Sequence, residues 1–329
     1  VISPQNGSIV GGNVTIEAYA EDSSGIQCAS FTAGMVFSEM TFNSTTGRYT
    51  ANLRTTELAE AQDAVEVVAT DKAGNAATSS ITLTVDNTPP IVSINAPSNK
   101  TFQRGTVTIS VTGQDANLER IELYANDSML TEWRISGAYT YPWNTANKPD
   151  GAYILLLKAY DKAQHVSQSQ ITITVDNTGP SLNISIPGNY TIVRGVIEVR
   201  FSAWDEHLLN ASLTVDDSLP FNVTGLVSIQ LDTGNMIDGS HVLKLSATDL
   251  LGNQVETFAL IVVDNTVPTA TIISPQDGSY VSGTFNVTFA YYDENLRIAA
   301  LIIDSSQYDV TGTAEFPLNS TSLTEGTHA

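Results

Sequence analysis

Along this chain, hydrophobic residues recur at every second position in short runs, and the runs resemble one another. "VTIEAYAED" places Val14, Ile16, Ala18 and Ala20 on one face, and "VTISVTGQD" places Val107, Ile109, Val111 and Gly113. "IEVRFSAWD" does the same with Ile197, Val199, Phe201 and Ala203, and "FNVTFAYYD" with Phe285, Val287, Phe289 and Tyr291. A period of two over eight residues predicts a strand with one buried and one wet face. A second set aligns Val65, Val67 and Ala69 in "VEVVATDKAGN" with Leu155, Leu157 and Ala159, and with Leu243, Leu245 and Ala247. Gly74-Asn75 and Gly252-Asn253 follow where a hairpin turn is expected; Gln164-His165 stands at that place in the middle copy.

The spacing of these runs sets the domain organisation. The last strand of each set ends in "VDNTPP" (Val85–Pro90), "VDNTGP" (Val175–Pro180) or "VDNTVP" (Val263–Pro268). Asn87 and Asn177 are 90 residues apart, Asn177 and Asn265 88 apart. A fixed period of this size means tandem domains, expected at 1–90, 91–180, 181–268 and 269–329. About seven short strands per repeat without helical period predicts an all-β chain, an extended array of Ig-like β-sandwiches. The prolines stop the last strand and stiffen the joint. Residues 269–329 supply only 61 positions, and "LTEGTHA" matches the start of the penultimate strand. The last two strands of the fourth repeat are expected further along a longer chain, or from another subunit by strand donation.

Several local patterns resemble the tandem bacterial and archaeal Ig-like repeats of surface proteins. They are the "SP-x-x-G" start ("ISPQNGSIVGG", "IISPQDGSYVSG"), the aspartate closing the first core strand, "IELYAND", "YTYPWNT" and "DGAYILLLKAYD". The likeness covers essentially the whole chain, and the second repeat fits best. The first departs in its middle, where "MTFNSTTGRYTANL" replaces the Pro-Trp segment. The resemblance implies adhesion, surface-layer or spacer roles, and rarely catalysis.

Acidic residues mark the joints. Asp22, Asp115, Asp205 and Asp293 close the first core strand with inward parity, and Asp71, Asp161 and Asp249 close the penultimate strand in the same way. In an Ig-like sandwich these strands lie in opposite sheets and finish at one end, so two carboxylates face each other about 10 Å apart at the backbone. The incoming linkers add Asp86, Asp176 and Asp264. Asn87, Asn117, Asn177, Glu206, Asn265, Glu294 and Asn295 supply further oxygens nearby. Crowded carboxylates repel, and six to eight oxygens at roughly 2.3–2.6 Å is the shell Ca²⁺ takes. The pattern is similar to cadherin linkers, which pair an Asp-Asn-x-Pro joint with Asp-x-Asn and Ala-x-Asp segments of the next domain. Two readings stay open: Ca²⁺ at the interdomain joints, or aspartates that accept loop amides and hold turns without metal.

Composition narrows the class. Fourteen Lys plus Arg against 35 Asp plus Glu give a net charge of −21, which excludes a phosphate-binding surface for nucleic acid. With 42% apolar residues the chain can build buried cores. Cys28 is the single cysteine, so no intrachain disulfide forms; it is expected to be a small buried apolar residue. No run of 18 apolar residues predicts a membrane span, and the chain starts directly in strand-and-turn sequence, as a segment cut from a longer protein does. Asn-x-Ser/Thr occurs at Asn6, Asn13, Asn43, Asn99, Asn126, Asn183, Asn189, Asn210, Asn222, Asn286 and Asn319, roughly twice the chance density. Either the strands are rich in Ser and Thr, or the chain is a glycosylated extracellular protein. His165, His207, His241 and His328 show no metal-ligand spacing and are expected to be solvated. No hydrolase, phosphate-loop or zinc-protease motif is present, and no enzyme is expected within these residues.

The expectation is a structural cell-surface glycoprotein segment from a surface layer, sheath or filament, whose partners are copies of itself or other surface proteins. The alternative is an adhesin stalk or an accessory segment of a large secreted enzyme. There Trp133, Trp143 and Trp204 would be candidates for a glycan platform, against the commoner core role.

Overall fold

Four hydrophobic cores succeed one another along the chain. Ile16, Phe31 and Leu53 centre the first, Ile109, Ile121 and Leu155 the second, Val199, Leu213 and Leu245 the third, and Val287, Phe289 and Leu301 the fourth. The computed structural model describes residues 1–216 and 218–329, and its regular elements are strands apart from two 3₁₀ turns, Thr55–Glu57 and Ser320–Ser322. Two compact units contain these cores, Val1–Thr178 and Gly179–Ala329.

The second repeat shows the plan. Its smaller sheet runs Gly137–Asn144, Thr106–Gln114, Ile91–Ala96; its larger sheet runs Phe102–Gln103, Val166–Val175, Gly151–Asp161, Leu118–Ala125, Ser128–Trp133. The alternating residues point between the sheets: Val107, Ile109, Val111, Leu155, Leu157 and Ala159 are all nearly or fully buried. Gly113 continues that row because a Cβ there would lie 2.4 Å from Ile121 Cδ1. The "SP-x-x-G" start is a sheet switch. Ile91–Ala96 pairs antiparallel with Thr106–Gln114, and the chain then crosses to lay Phe102–Gln103 parallel against Val166–Val175. Ile9–Val10 and Thr191–Val193 make the same parallel pairing in the first and third repeats. The peptide before each switch proline is cis, at Pro4, Pro97, Pro187 and Pro275.

The first repeat's divergent middle folds as a hairpin, Thr41–Asn43 with Arg48–Arg54, extending the sheet that contains Asn13–Ala18. In the fourth repeat a three-stranded sheet faces the two strands Ala300–Ile303 and Ser306–Asp309. Its core residues Val287, Phe289, Leu301, Ile303 and Leu318 keep 6–8% exposure.

Cys28 is exposed rather than buried. A register shift between Ile26 and Cys28 resets the parity of the strand, so Ala29, Phe31 and Ala33 turn inward and Cys28 faces out. The tryptophans separate: Trp143 is in the core, Trp133 stacks on Tyr139 at 4.7 Å, and Trp204 is 71% exposed. All eleven sequon asparagines are exposed. Seven of them (Asn6, Asn43, Asn99, Asn126, Asn189, Asn222, Asn319) accept a backbone N–H at Oδ1. Turn chemistry therefore gives asparagine a structural use at those sites, independent of any modification.

Candidate functional site

Each linker is tied first to the repeat it leaves. Asn87 Oδ1 accepts from Gly12 N (3.2 Å) and Thr55 Oγ1 (2.5 Å), and its Nδ2 donates to Thr55 O (3.1 Å). Asn177 repeats this with Gly105 N and Thr145 O, and Asn265 donates to Thr233 O and Met236 O. Thr55, Thr145 and Thr233 are fully buried and donate to Gly12 O, Gly105 O and Gly195 O. The next residue adds a second tie: Thr88 Oγ1 donates to Glu60, Thr178 Oγ1 to Asp150 and Thr266 Oγ1 to Asp238. Those carboxylates also accept the amides of Asn87, Asn177 and Asn265. The bonds from Thr266 and Asn265 hold the Asp238 carboxyl below its usual range.

Asp86 and Asp264 instead face the repeat that follows. In the first unit Asp86 is 4% exposed; its Oδ2 accepts from Asn117 Nδ2 at 2.9 Å and its Oδ1 from Thr88 N at 3.3 Å. Asp115 closes the first core strand, and its Oδ1 accepts from Asn117 N at 2.6 Å. Asp161, 1% exposed, closes the penultimate strand and pairs across the sheet with Leu118, only three residues after Asp115. That short turn between the two sheets brings Asp115 and Asp161 to one end of the sandwich. Asp161 Oδ1 accepts from His165 N and its Oδ2 lies 2.8 Å from His165 Nδ1. Ligand atoms of Asp86, Asp161 and His165 all lie within 4.8 Å of one another. Burial pushes the Asp115 carboxyl up; the Asn117 amide pulls against this, the Asp86 and Asp161 charges add to the rise, and His165 eases it.

The penultimate-strand aspartates share one local role. Asp71 accepts from Ala73 N, Asn75 N and Asn75 Nδ2, and Asp249 from Leu251 N, Asn253 N and Asn253 Nδ2. The Asn75 side chain and amide, joined by the other turn amides, outweigh burial and hold the Asp71 carboxyl low. His165 occupies the Asn75 position, and its Nδ1 stands where the amide nitrogen stands in the other repeats. Gln164 takes the left-handed conformation (φ 75°) that Gly74 and Gly252 take elsewhere.

In the second unit, Asp264 Oδ2 accepts from Asn295 Nδ2 (2.9 Å) and Asp293 Oδ1 from Asn295 N (2.8 Å), repeating the Asp86–Asn117–Asp115 arrangement. Glu294 and Glu206 are exposed. Asp205 Oδ1 accepts from His207 N and Asp22 Oδ1 from Ser24 N, the same local turn. Asp176 is buried and its Oδ1 accepts from Thr178 N.

Of the residues singled out in the sequence, the structure gathers Asp86, Asp115, Asn117 and Asp161 at one joint and Asp264, Asp293 and Asn295 at another. Asn87, Asn177 and Asn265 turn their amides into their own repeats. Sequence reasoning missed His165 and the back-tying Glu60, Asp150 and Asp238. The signal for His165 was its replacement of the usual turn asparagine. None of His165, His241 and His328 is a freely solvated side chain, because each imidazole is hydrogen-bonded to an aspartate. A Cβ at Gly11 would lie 2.4 Å from Asp86 O and 2.6 Å from His165 Cε1, so the first and second repeats meet closely there. A cleft of roughly 600 Å³ lies beside the joint, lined by residues that include Glu60, Asp86, Asp115, Asn117 and Ser136.

The first joint suits a hard cation. Asp86 and Asp161 offer carboxylate oxygens within 4.8 Å of each other, and two oxygens bound to one Ca²⁺ lie no more than about 5 Å apart. His165 is held on Asp161, and at Asp115 burial first, then the Asp86 and Asp161 charges, favour the neutral acid.

Comparison with known proteins gives two family matches. The model of the bacterial Ig domain matches residues 1–85 and 90–175, and that of the bacterial Ig-like domain, group 3, matches 137–214. No curated protein matches the sequence. Among solved structures, the fibronectin(III)-like modules of Clostridium thermocellum CbhA are similar at 20% identity, covering 53% of this chain and 92% of theirs (TM-score 0.36). A tetra-tandem repeat from the extending region of a large adhesion protein is 19% identical, covering 96% and 90% (TM-score 0.33). A Ca²⁺-stabilized adhesin of an Antarctic bacterium is 16% identical, covering 94% and 87% (TM-score 0.35).

Proposed function

The chain belongs to the bacterial Ig domain family, and from there we propose that it is a load-bearing spacer segment of an extracellular surface protein, with Ca²⁺ bracing its joints. The observation that carries this reading is the first joint. Asp86 and Asp161 are each more than nine-tenths buried beside Asp115, whose carboxyl is raised by burial and by both charges. A divalent ion supplies the positive charge such a cluster lacks. Asp86 and Asp161, whose oxygens lie within 4.8 Å of each other, would hold it, with Asp115 and Asn117 beside them, and Asp264, Asp293 and Asn295 form the corresponding part of a second site. The ion would link a linker residue to two turns of the next repeat.

The backward ties fit a chain under tension. Force along the chain must break Asn87, Asn177 or Asn265 from buried backbone partners before a linker peels off its repeat. Surface-layer, sheath, filament and adhesin-stalk settings all require this property. The eleven exposed asparagines favour a glycosylated surface; a sugar on Nδ2 leaves Oδ1 free to keep its turn bond.

Thermal unfolding of the whole chain in EDTA and in millimolar Ca²⁺ tests the joint. An ion at 100 times its Kd adds about 2.7 kcal/mol to the folded state, so melting should rise with Ca²⁺ in the native chain and much less in Asp86→Asn/Asp115→Asn. Identical melts of the native chain in both buffers would remove Ca²⁺ from the proposal.

A further inference from the structure

We propose that His241 and His328 are charged latches, each imidazolium pinning a hairpin turn to the backbone carbonyl four residues before it, and each releasing when it loses its proton. In the third repeat the strand Leu208–Val215 ends at Asp216, which turns the chain in the left-handed conformation (φ 51°). Asp216 Oδ1 accepts from Val242 N at 2.8 Å, and its Oδ2 lies 2.7 Å from His241 Nδ1. The other ring nitrogen, Nε2, lies 2.7 Å from Ile237 O. The fourth repeat builds the same device from different residues. Asp304 (φ 52°) follows Ala300–Ile303, its Oδ2 is 2.7 Å from His328 Nδ1, and His328 Nε2 is 2.6 Å from Thr324 O.

Protonation follows from the partners. A carboxylate and a carbonyl oxygen only accept, so both ring nitrogens must donate. Neutral imidazole has a single N–H, and the imidazolium has two. The Asp216 bond, then the Ile237 carbonyl, raise the His241 imidazole above its ordinary 6.5, with burial working against them. Asp304 and the Thr324 carbonyl do the same for His328. Around His241, the paired strand places Ile261 opposite, and Asp238 in the preceding loop is engaged with Asn265 N and Thr266 Oγ1. Asp216 is therefore the charged partner that sets its state; Asp304 is that partner for His328.

The second repeat solves the same problem without a charge. Asn126 (φ 52°) takes the Asp216 position and accepts from Ile154 N at 2.9 Å. Tyr153 takes the His241 position, and its hydroxyl donates to Pro149 O at 3.0 Å, again four residues back. Within one chain, one repeat carries a pH-independent form of the tie and two carry a titratable form.

Because the folded imidazole binds its proton more tightly, the latch stabilises fully below the unfolded value near 6.5. That contribution is lost as pH rises through the higher folded value. At Asp216 burial favours the neutral acid, but the His241 and Val242 bonds outweigh it and hold the carboxyl below 3.8. Acid therefore opens the latch only near or below that value. Mildly acidic surroundings tighten the third and fourth repeats, and alkaline ones loosen them.

Proton NMR titration of the histidine ring signals in the whole chain, assigned with single His→Gln variants, tests this directly. Midpoints for His241 and His328 above 6.5 are expected; midpoints at or below 6.5 overturn the proposal. The double variant Asp216→Asn/His241→Tyr copies the Asn126–Tyr153 pair. Between about pH 6 and about pH 9 the native third repeat should lose several degrees of melting temperature, and the double variant should lose far less. An equal loss in both would also overturn it. Should the double variant fail to fold, the titration of the native chain decides the question.

Discussion

The asparagine of each "Asp-Asn-Thr" linker works backward along the chain, and Asp86 and Asp264 beside it work forward. Asn87 holds Gly12 N, Thr55 Oγ1 and Thr55 O, partners that lack water to replace it because Thr55 is fully buried. Asn87→Ala leaves Gly12 N and Thr55 O unsatisfied, while Thr55 Oγ1 keeps Gly12 O, and should destabilise the first repeat by about 1–3 kcal/mol in a urea melt. A loss under about 0.5 kcal/mol would mean that the tie is made by Thr88 and Glu60 instead. Asp161 was recognisable in the sequence because inward parity carries it to the rim of the core. His165 was not, because its neighbours Gly11 and Asp86 lie more than 75 positions away in the chain and reach it only through the joint.

Strands were easier to read than the side chains at their ends. The alternation in Gly151–Asp161 marks Leu155 and Leu157 as core, and both are fully buried, while Ile154 on the opposite face is 45% exposed. Leu155→Ala should cost about 2–5 kcal/mol. Ile154→Ala, on the wet face, should stay within about 0.5 kcal/mol. Equal costs in a denaturant melt would mean that the outer face of this sheet is covered. Periodicity failed where the strand itself is irregular. The register shift after Ile26 turned Cys28 outward, and a parity count assumes an unbroken ladder.

Four separate cores make the whole chain a series of small cooperative systems. Calorimetry should resolve more than one transition, and Leu213→Ala should lower one of them while leaving the transition of the first core in place. A single transition shifted as a whole would show strong coupling between repeats. The net charge of −21 is spread over a chain that also concentrates carboxylates at its joints, so added salt and divalent ions should act on the joints before the cores.

The fold class, the tandem repeats and the buried faces could all be read from residue order, because alternation and a 90-residue period are local or repeating signals. The sequence also brought the aspartates to the ends of the right strands. Residue order could not reveal which oxygen each of them accepts from, or that the linker asparagines point backward. Nor could it reveal that two histidines meet acceptors on both sides of the ring. Those outcomes depend on contacts between segments far apart in the chain, fixed only once two sheets close over a core and set their turns side by side.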